Sequence, residues 1–328
     1  MKYPVIVILL IWLHGCGNKA HGPLAYVSNE RDGTISVIDT QADAVVDTFQ
    51  LGARPRGLRL SRDAKTLWVA ISYPTNQAQG EDKIVQIDAE SGQVLQKVDA
   101  GTDPENFVID SGGTKLYVAN EDAGTASITD LSANRIVATM PVGLEPEGAA
   151  ISPDGRWVYI TSESSSSVSV IDTTTNQLLK TFLVGARPRE AIFDSDGKTA
   201  YVSAENGSSV SVVDTSNHDV VKTIVLPKRD GTAQLKPKGM ALSKDNRLLY
   251  VATGRGNCVA VIDLSSGQVT NLIPVGQRPW GLSITEDGKK LYAANGVSND
   301  VSVIDLTNNQ VIKSIKAGDG PWGIVTQP

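Results

Sequence analysis

Apolar and polar residues alternate through this chain in short runs separated by turn residues. In the stretch that begins at Gly148 the runs cover 149–152, 158–162, 168–172 and 178–184. A period of two over runs this short predicts half-buried strands and excludes amphipathic helices. Ser152-Pro153-Asp154-Gly155 joins the first two runs, with a proline that pre-sets and a glycine that tolerates turn dihedrals. The aspartates that end the third runs are Asp39, Asp88, Asp130, Asp172, Asp214, Asp263 and Asp305. Their spacings of 49, 42, 42, 42, 49 and 42 define a 42-residue unit with two seven-residue excesses, at 72–83 and 227–236. Each aspartate is expected to cap its own turn.

Four antiparallel strands per unit at this period predict an all-β fold, a seven-bladed β-propeller with four-stranded blades. The described pattern opens on a second strand, Tyr26-Val27-Ser28-Asn29, and ends on a lone first strand, Gly323-Ile324-Val325-Thr326. The C-terminal strand is therefore expected to join the N-terminal blade and close the ring without a free edge. The predicted organisation is a signal peptide over 1–15, a lipidated cysteine and tether over 16–23, and one propeller over 24–328. Lys2 precedes an apolar run over 5–13, which suits a signal-peptide core and is too short for a membrane span. Leu13-His14-Gly15-Cys16 resembles the bacterial lipobox. That resemblance implies lipidation of Cys16 and, with Gly17 next, an exported, periplasmic protein anchored to the outer membrane. Cys258 is then the remaining cysteine, so no intramolecular disulfide is available.

In a meander blade, the loops into the innermost strands and those between second and third strands share one face. Every innermost strand is preceded by a proline: Pro55, Pro104, Pro146, Pro188, Pro237, Pro279 and Pro321. The residues around these prolines differ from unit to unit, and such variation is where function is written on a repeated scaffold. Arg54 and Arg56 are followed by Asp103 and Glu105, then Glu145 and Glu147, Arg187 and Arg189, Lys236 and Lys238, and finally Arg278 with Trp280 and Trp322. Charge is thus expected to be sorted by sector and to orient a charged partner. Two residues after the proline stands glycine, except for Asn106 and Glu190, whose side chains are expected to face the channel. Trp280 and Trp322 offer a stack for a planar ligand, with Arg278 as partner for its carboxylate. Glu30, Glu121, Glu163 and Glu205, each four residues after the aromatic of its second strand, are the candidates for a calcium site.

Tyr117-Val118-Ala119-Asn120 and its variant Tyr26-Val27-Ser28-Asn29 resemble the YVTN family of bacterial β-propeller repeats. Asp103-Pro104-Glu105, Glu145-Pro146-Glu147-Gly148 and Pro321-Trp322-Gly323 are similar to the propellers associated with pyrroloquinoline-quinone-dependent alcohol catabolism. That resemblance implies an exported accessory of quinoprotein oxidation or its transport system, brings no catalytic residues with it and does not imply that this chain binds the quinone.

Composition narrows the chemistry. Only three histidines occur in the chain, His14, His21 and His218, so multi-imidazole zinc sites and histidine acid–base pairs are all but excluded. A net charge of −6 disfavours nucleic acid as partner. The reading that follows is a non-enzymatic binding protein for a protein partner or small anionic ligand, without a resident cofactor. The alternative is a lactonase-like hydrolase that uses Glu105, Glu147, Glu190 and Arg189 at the channel mouth. Calcium, or pyrroloquinoline quinone seated over Trp280 and Trp322, is a further alternative.

Overall fold

A computed structural model describes residues 21–73, 81–229 and 233–328. The expected signal peptide, Cys16 and most of the expected tether lie outside the described residues. Seven four-stranded antiparallel sheets form the blades, and a short hairpin pairs Lys228–Arg229 with Ala233–Gln234. The innermost strands run Arg54–Leu60, Pro104–Ile109, Pro146–Ile151, Pro188–Phe193, Met240–Leu242, Pro279–Ile284 and Pro321–Thr326, each packed against the next around the channel. Pro321–Thr326 pairs with Leu24–Asn29, so the ring closes as the sequence predicts.

The innermost strands start earlier than the alternation suggests. Pro146 is already paired with Ser162, and a register shift follows before Ala149 pairs with Ile160. Proline lacks the N–H that a ladder needs, and the start of a strand beside a bulge is where that loss is tolerated. The glycine two residues later answers crowding: a Cβ on Gly148 would lie 2.3 Å from the Arg189 carbonyl oxygen of the next blade.

Second strands supply the interior, and Tyr26, Tyr117, Tyr159, Tyr250 and Tyr292 are all buried. Trp68 packs between blades with Phe107 and Leu116. Outer strands bury one large side chain each, such as Phe49, Met140, Phe182 and Ile315, and leave their other apolar residues half-covered or exposed. The third-strand aspartates cap their turns: Asp39 accepts from the N–H groups of Gln41 and Ala42, Asp88 from Glu90 and Ser91, and Asp305 from Thr307. Cys258 is buried at the start of its third strand, 3.2 Å from the Thr253 hydroxyl.

Candidate functional site

In five of the seven turns into the innermost strands, the residue before the proline takes a left-handed backbone. Asp103, Glu145, Arg187 and Arg278, all immediately before prolines, have φ of 46°, 54°, 59° and 57°. Gly320 fills the same position with φ of 73°. Left-handed backbone costs a side-chain-bearing residue roughly 1–2 kcal/mol, so four charged side chains stand where glycine would be comfortable.

These turns ring a mouth cavity of about 450 Å³. Its walls are ion-pair networks. Arg56, 3% exposed, contacts Glu105, has Asp103 and Glu121 each at 3.4 Å, and has Glu30 at 3.3 Å. Arg54 approaches the same Glu30 to 2.7 Å. A second network centres on Arg189, 7% exposed, which contacts Glu163 and lies 2.6 Å from Glu147 and 3.4 Å from Glu205. Arg187 adds a 2.6 Å bond to Glu163. The charges are therefore interleaved across blades and do not form the separate sectors that the sequence suggests. Each residue after a proline reaches over a blade boundary, and charges this deeply buried persist only when paired.

Below the mouth lies a smaller compartment of about 50 Å³, walled by Asn106, Glu147, Arg189, Glu190, Lys238 and the two indoles. Lys238, 2% exposed, has its ammonium 3.1 Å from Glu205 and 3.4 Å from the centre of the Trp280 ring. Trp280 stacks on Trp322 at 5.8 Å with a 27° tilt, so the indoles meet each other and leave no slot between them. Glu190 accepts a hydrogen bond from the Met240 N–H and, among the described residues, has no ion-pair partner. Burial pushes its carboxyl up to about 7. Burial, helped by Arg189, brings the Lys238 ammonium down to about 7. Glu121 is also raised to about 7 by burial, opposed by Arg56. Burial favours neutral Glu205, but Lys238 and Arg189 outweigh it and hold the carboxyl below its usual range.

Most sequence-predicted site residues thus line one of two cavities that share Glu147, Arg189, Trp280 and Trp322 as walls. Glu145, Lys236 and Glu205 do not: Glu145 is exposed and accepts from the Ser164 hydroxyl at 2.5 Å, Lys236 donates to Asn206 at 3.0 Å, and Glu205 lies behind Lys238 at 3.1 Å. Of the four calcium candidates, Glu121 alone joins a group whose carboxylate oxygens lie within 4.8 Å of one another, together with Asp103 and Glu105. Arg56 already supplies the counter-charge to that trio, which fits a divalent cation poorly. Glu30, Glu163 and Glu205 are each engaged by arginine or lysine.

Two site residues escape the sequence reading. Arg31 lines the mouth and is held 2.7 Å from Asp319. Arg59 lies in the channel, where burial lowers its pKa against the pull of Glu190. Four residues after the proline, the other units carry Val108, Ala150, Ile192, Ala241, Ser283 and Val325, so Arg59 is visible as the one charged residue in that column.

Residues 179–314 match a family described as lactonase, 7-bladed beta-propeller, and residues 75–203 match the cytochrome D1 heme domain; each match covers less than half of the chain. The uncharacterized protein YncE of Salmonella typhi is 40% identical over 55 residues, 17% of this chain and 16% of that protein. The match thus spans about a sixth of the curated relative's length. Among solved structures, a Lactobacillus plantarum protein superposes with a TM-score of 0.79 at 18% identity, covering 93% of this chain and 100% of that one. A candidate 6-phosphogluconolactonase from Bacteroides fragilis gives 0.75 at 19% identity over 95% of this chain and 100% of that one. Kuenenia stuttgartiensis hydrazine synthase gives 0.74 at 20% identity over 85% and 91%. These similarities agree on the fold. The expectation of a non-enzymatic protein is corrected: the stretch that contains Glu190, Lys238 and Trp280 falls within the lactonase match, which points toward a hydrolase.

Proposed function

We propose that the protein hydrolyses a small anionic lactone at the channel mouth. The observation that carries this reading is the two-chamber site, in which a metabolite-sized mouth adjoins a small compartment walled by Glu190, a carboxylate with no ion-pair partner within 4 Å among the described residues. One water occupies roughly 30 Å³ in the liquid, so the lower chamber suits a nucleophilic water and the upper one the substrate. Among the described residues Arg278 has no carboxylate partner; it is exposed at the mouth, 5.1 Å from the Trp280 ring, and suits the substrate's anionic group.

In this mechanism Glu190 takes a proton from water as the water oxygen bonds to the lactone carbonyl carbon. Arg189 and Lys238 stabilise the oxyanion. Collapse breaks the ring C–O bond, and protonated Glu190 returns the proton to the departing oxygen. A base must be ionised and the ammonium must keep its proton, so kcat/KM is expected to rise to near pH 7 and fall above it. The acid limb follows Glu190 at about 7 and the alkaline limb follows Lys238 at about 7. Lys238→Arg should extend the alkaline limb. Assaying acid release from five- and six-membered lactones, with and without an anionic substituent, tests this; absence of turnover across that panel rejects it.

The resemblance to propellers of quinone-dependent alcohol catabolism supports an exported location beside quinoprotein oxidation. Mass spectrometry of the mature protein is expected to find a lipidated Cys16 at its N-terminus. A mature N-terminus beyond that residue rejects the anchor.

A further inference from the structure

We infer that Ser203 is a positioning residue that holds Glu190 and Lys238 in register across a blade boundary; the inference rests on the hydrolase reading above. The Ser203 hydroxyl accepts from the Glu190 N–H at 3.1 Å and donates to the Lys238 carbonyl oxygen at 2.6 Å. One buried oxygen thus ties together the backbones of Glu190 and Lys238, both of which wall the lower compartment.

The repeat shows that this is a selected device and not a property of every blade. Two residues after the second-strand aromatic, the units carry Ser28, Ala70, Ala119, Thr161, Ser203, Ala252 and Ala294. The residues after the proline of the following blades are Arg56, Glu105, Glu147, Arg189, Lys238, Trp280 and Trp322. Each of the three hydroxyls stands before a basic residue, and each of the four alanines stands before an acidic residue or tryptophan. Ser28 donates to the Arg56 carbonyl at 2.6 Å and accepts from Gly323 N–H at 2.9 Å. Thr161 does the same between Gly148 at 2.8 Å and Arg189 at 3.0 Å. Where alanine replaces the hydroxyl, at Ala252, the Gly239 N–H donates directly to the Trp280 carbonyl at 3.0 Å. The hydroxyl is therefore an inserted link, used where a cation is presented inward. At Ser203 alone the other linked residue is itself ionisable, so this link sets the relation between acid and base.

Ser203→Ala leaves the Glu190 N–H and Lys238 carbonyl without their shared partner and lets the two innermost strands shift. Because a displacement of about 1 Å can cost on the order of 100-fold in rate, kcat is expected to fall about 10- to 100-fold with KM changed less than about twofold. The alkaline limb should move with the Lys238 titration, read without any assay from the Cε shift in lysine-labelled protein. Ser203→Thr should restore both. Ser28→Ala, which removes the same kind of link elsewhere, should leave the Lys238 titration in place. Should Ser203→Ala fold poorly, Ser203→Cys keeps the volume, weakens the donor and carries the same expectation. An unchanged Lys238 titration in folded Ser203→Ala or Ser203→Cys overturns the inference. If wild-type protein turns over no lactone, the hydrolase reading fails while the titration still decides the positioning.

Discussion

Glu190→Gln is expected to abolish most lactone turnover and, at the same time, to raise the melting temperature at pH 8. A positioned general base contributes roughly 10²- to 10⁴-fold, and glutamine cannot accept the proton, so kcat should fall by about that factor. Its amide oxygen can still accept from the Met240 N–H, which preserves the local backbone. The stability effect follows from the same burial. The carboxyl is raised from its ordinary 4.5 to about 7 in the fold, so an unfolded chain ionises it first as pH rises. The cost to the fold is absent below pH 4.5, grows between 4.5 and 7, and is complete above 7. With about 1.4 kcal/mol for each pH unit, and some relief from channel solvent, removal of the charge should add about 2 kcal/mol at pH 8. That corresponds to several degrees of Tm for a domain of this size. At pH 4 the two proteins should melt together. Calorimetry at both pH values beside a rate assay checks the pair of outcomes; full turnover, or a melting temperature that is lower at pH 8, rejects the assignment of Glu190. A residue whose removal stabilises the fold is retained for what it does.

What the chain discloses in advance follows from how local each feature is. Turn aspartates such as Asp172 and Asp263 act within three residues of themselves, and the period they mark is a count along the sequence. The common face of the proline turns follows from meander topology alone. Ion-pair partners do not, because Arg56 meets Glu105 and Glu121 only after two blades have been set side by side. The depth of the site is hidden for a related reason. Glycine two residues after the proline fills most units because the strands crowd there, and the consequence of Glu190 departing from it depends on the Met240 N–H and the Arg59 side chain of other blades. Arg59 and Ser203 are intermediate cases: each stands out once equivalent positions are compared down the repeat, a comparison of columns and not of neighbours.

Deletion of residues 321–328 should cost the ring most of its stability. Pro321–Thr326 is the innermost strand of a blade whose other three strands come from the opposite end of the chain. It also packs against both neighbouring innermost strands. Ile324 joins the cluster of Ala25, Val27 and Tyr292, and Val325 joins that of Tyr26 and Val37. Gln327 fastens the end, its N–H donating to the Leu24 carbonyl at 2.7 Å and its side-chain oxygen accepting from the Leu24 N–H at 2.9 Å. Burial of each large apolar side chain contributes about 1.5–3 kcal/mol, so the strand as a whole is worth on the order of 5 kcal/mol, against a total of about 5–15 for a folded domain. The deletion also unpairs one edge of Leu24–Asn29, an invitation to association, and takes Trp322 from its stack on Trp280. A fall in melting temperature of more than about 10 °C is expected, with loss of solubility. Trp322→Ala, which removes the indole and keeps the strand, should cost far less stability. A synthetic peptide of residues 319–328 should bind the truncated protein by strand addition and return part of the loss. An unchanged melting temperature after truncation would show that the ring holds without its closing strand and that closure does not fix the mouth, which Arg31 and Trp322 line.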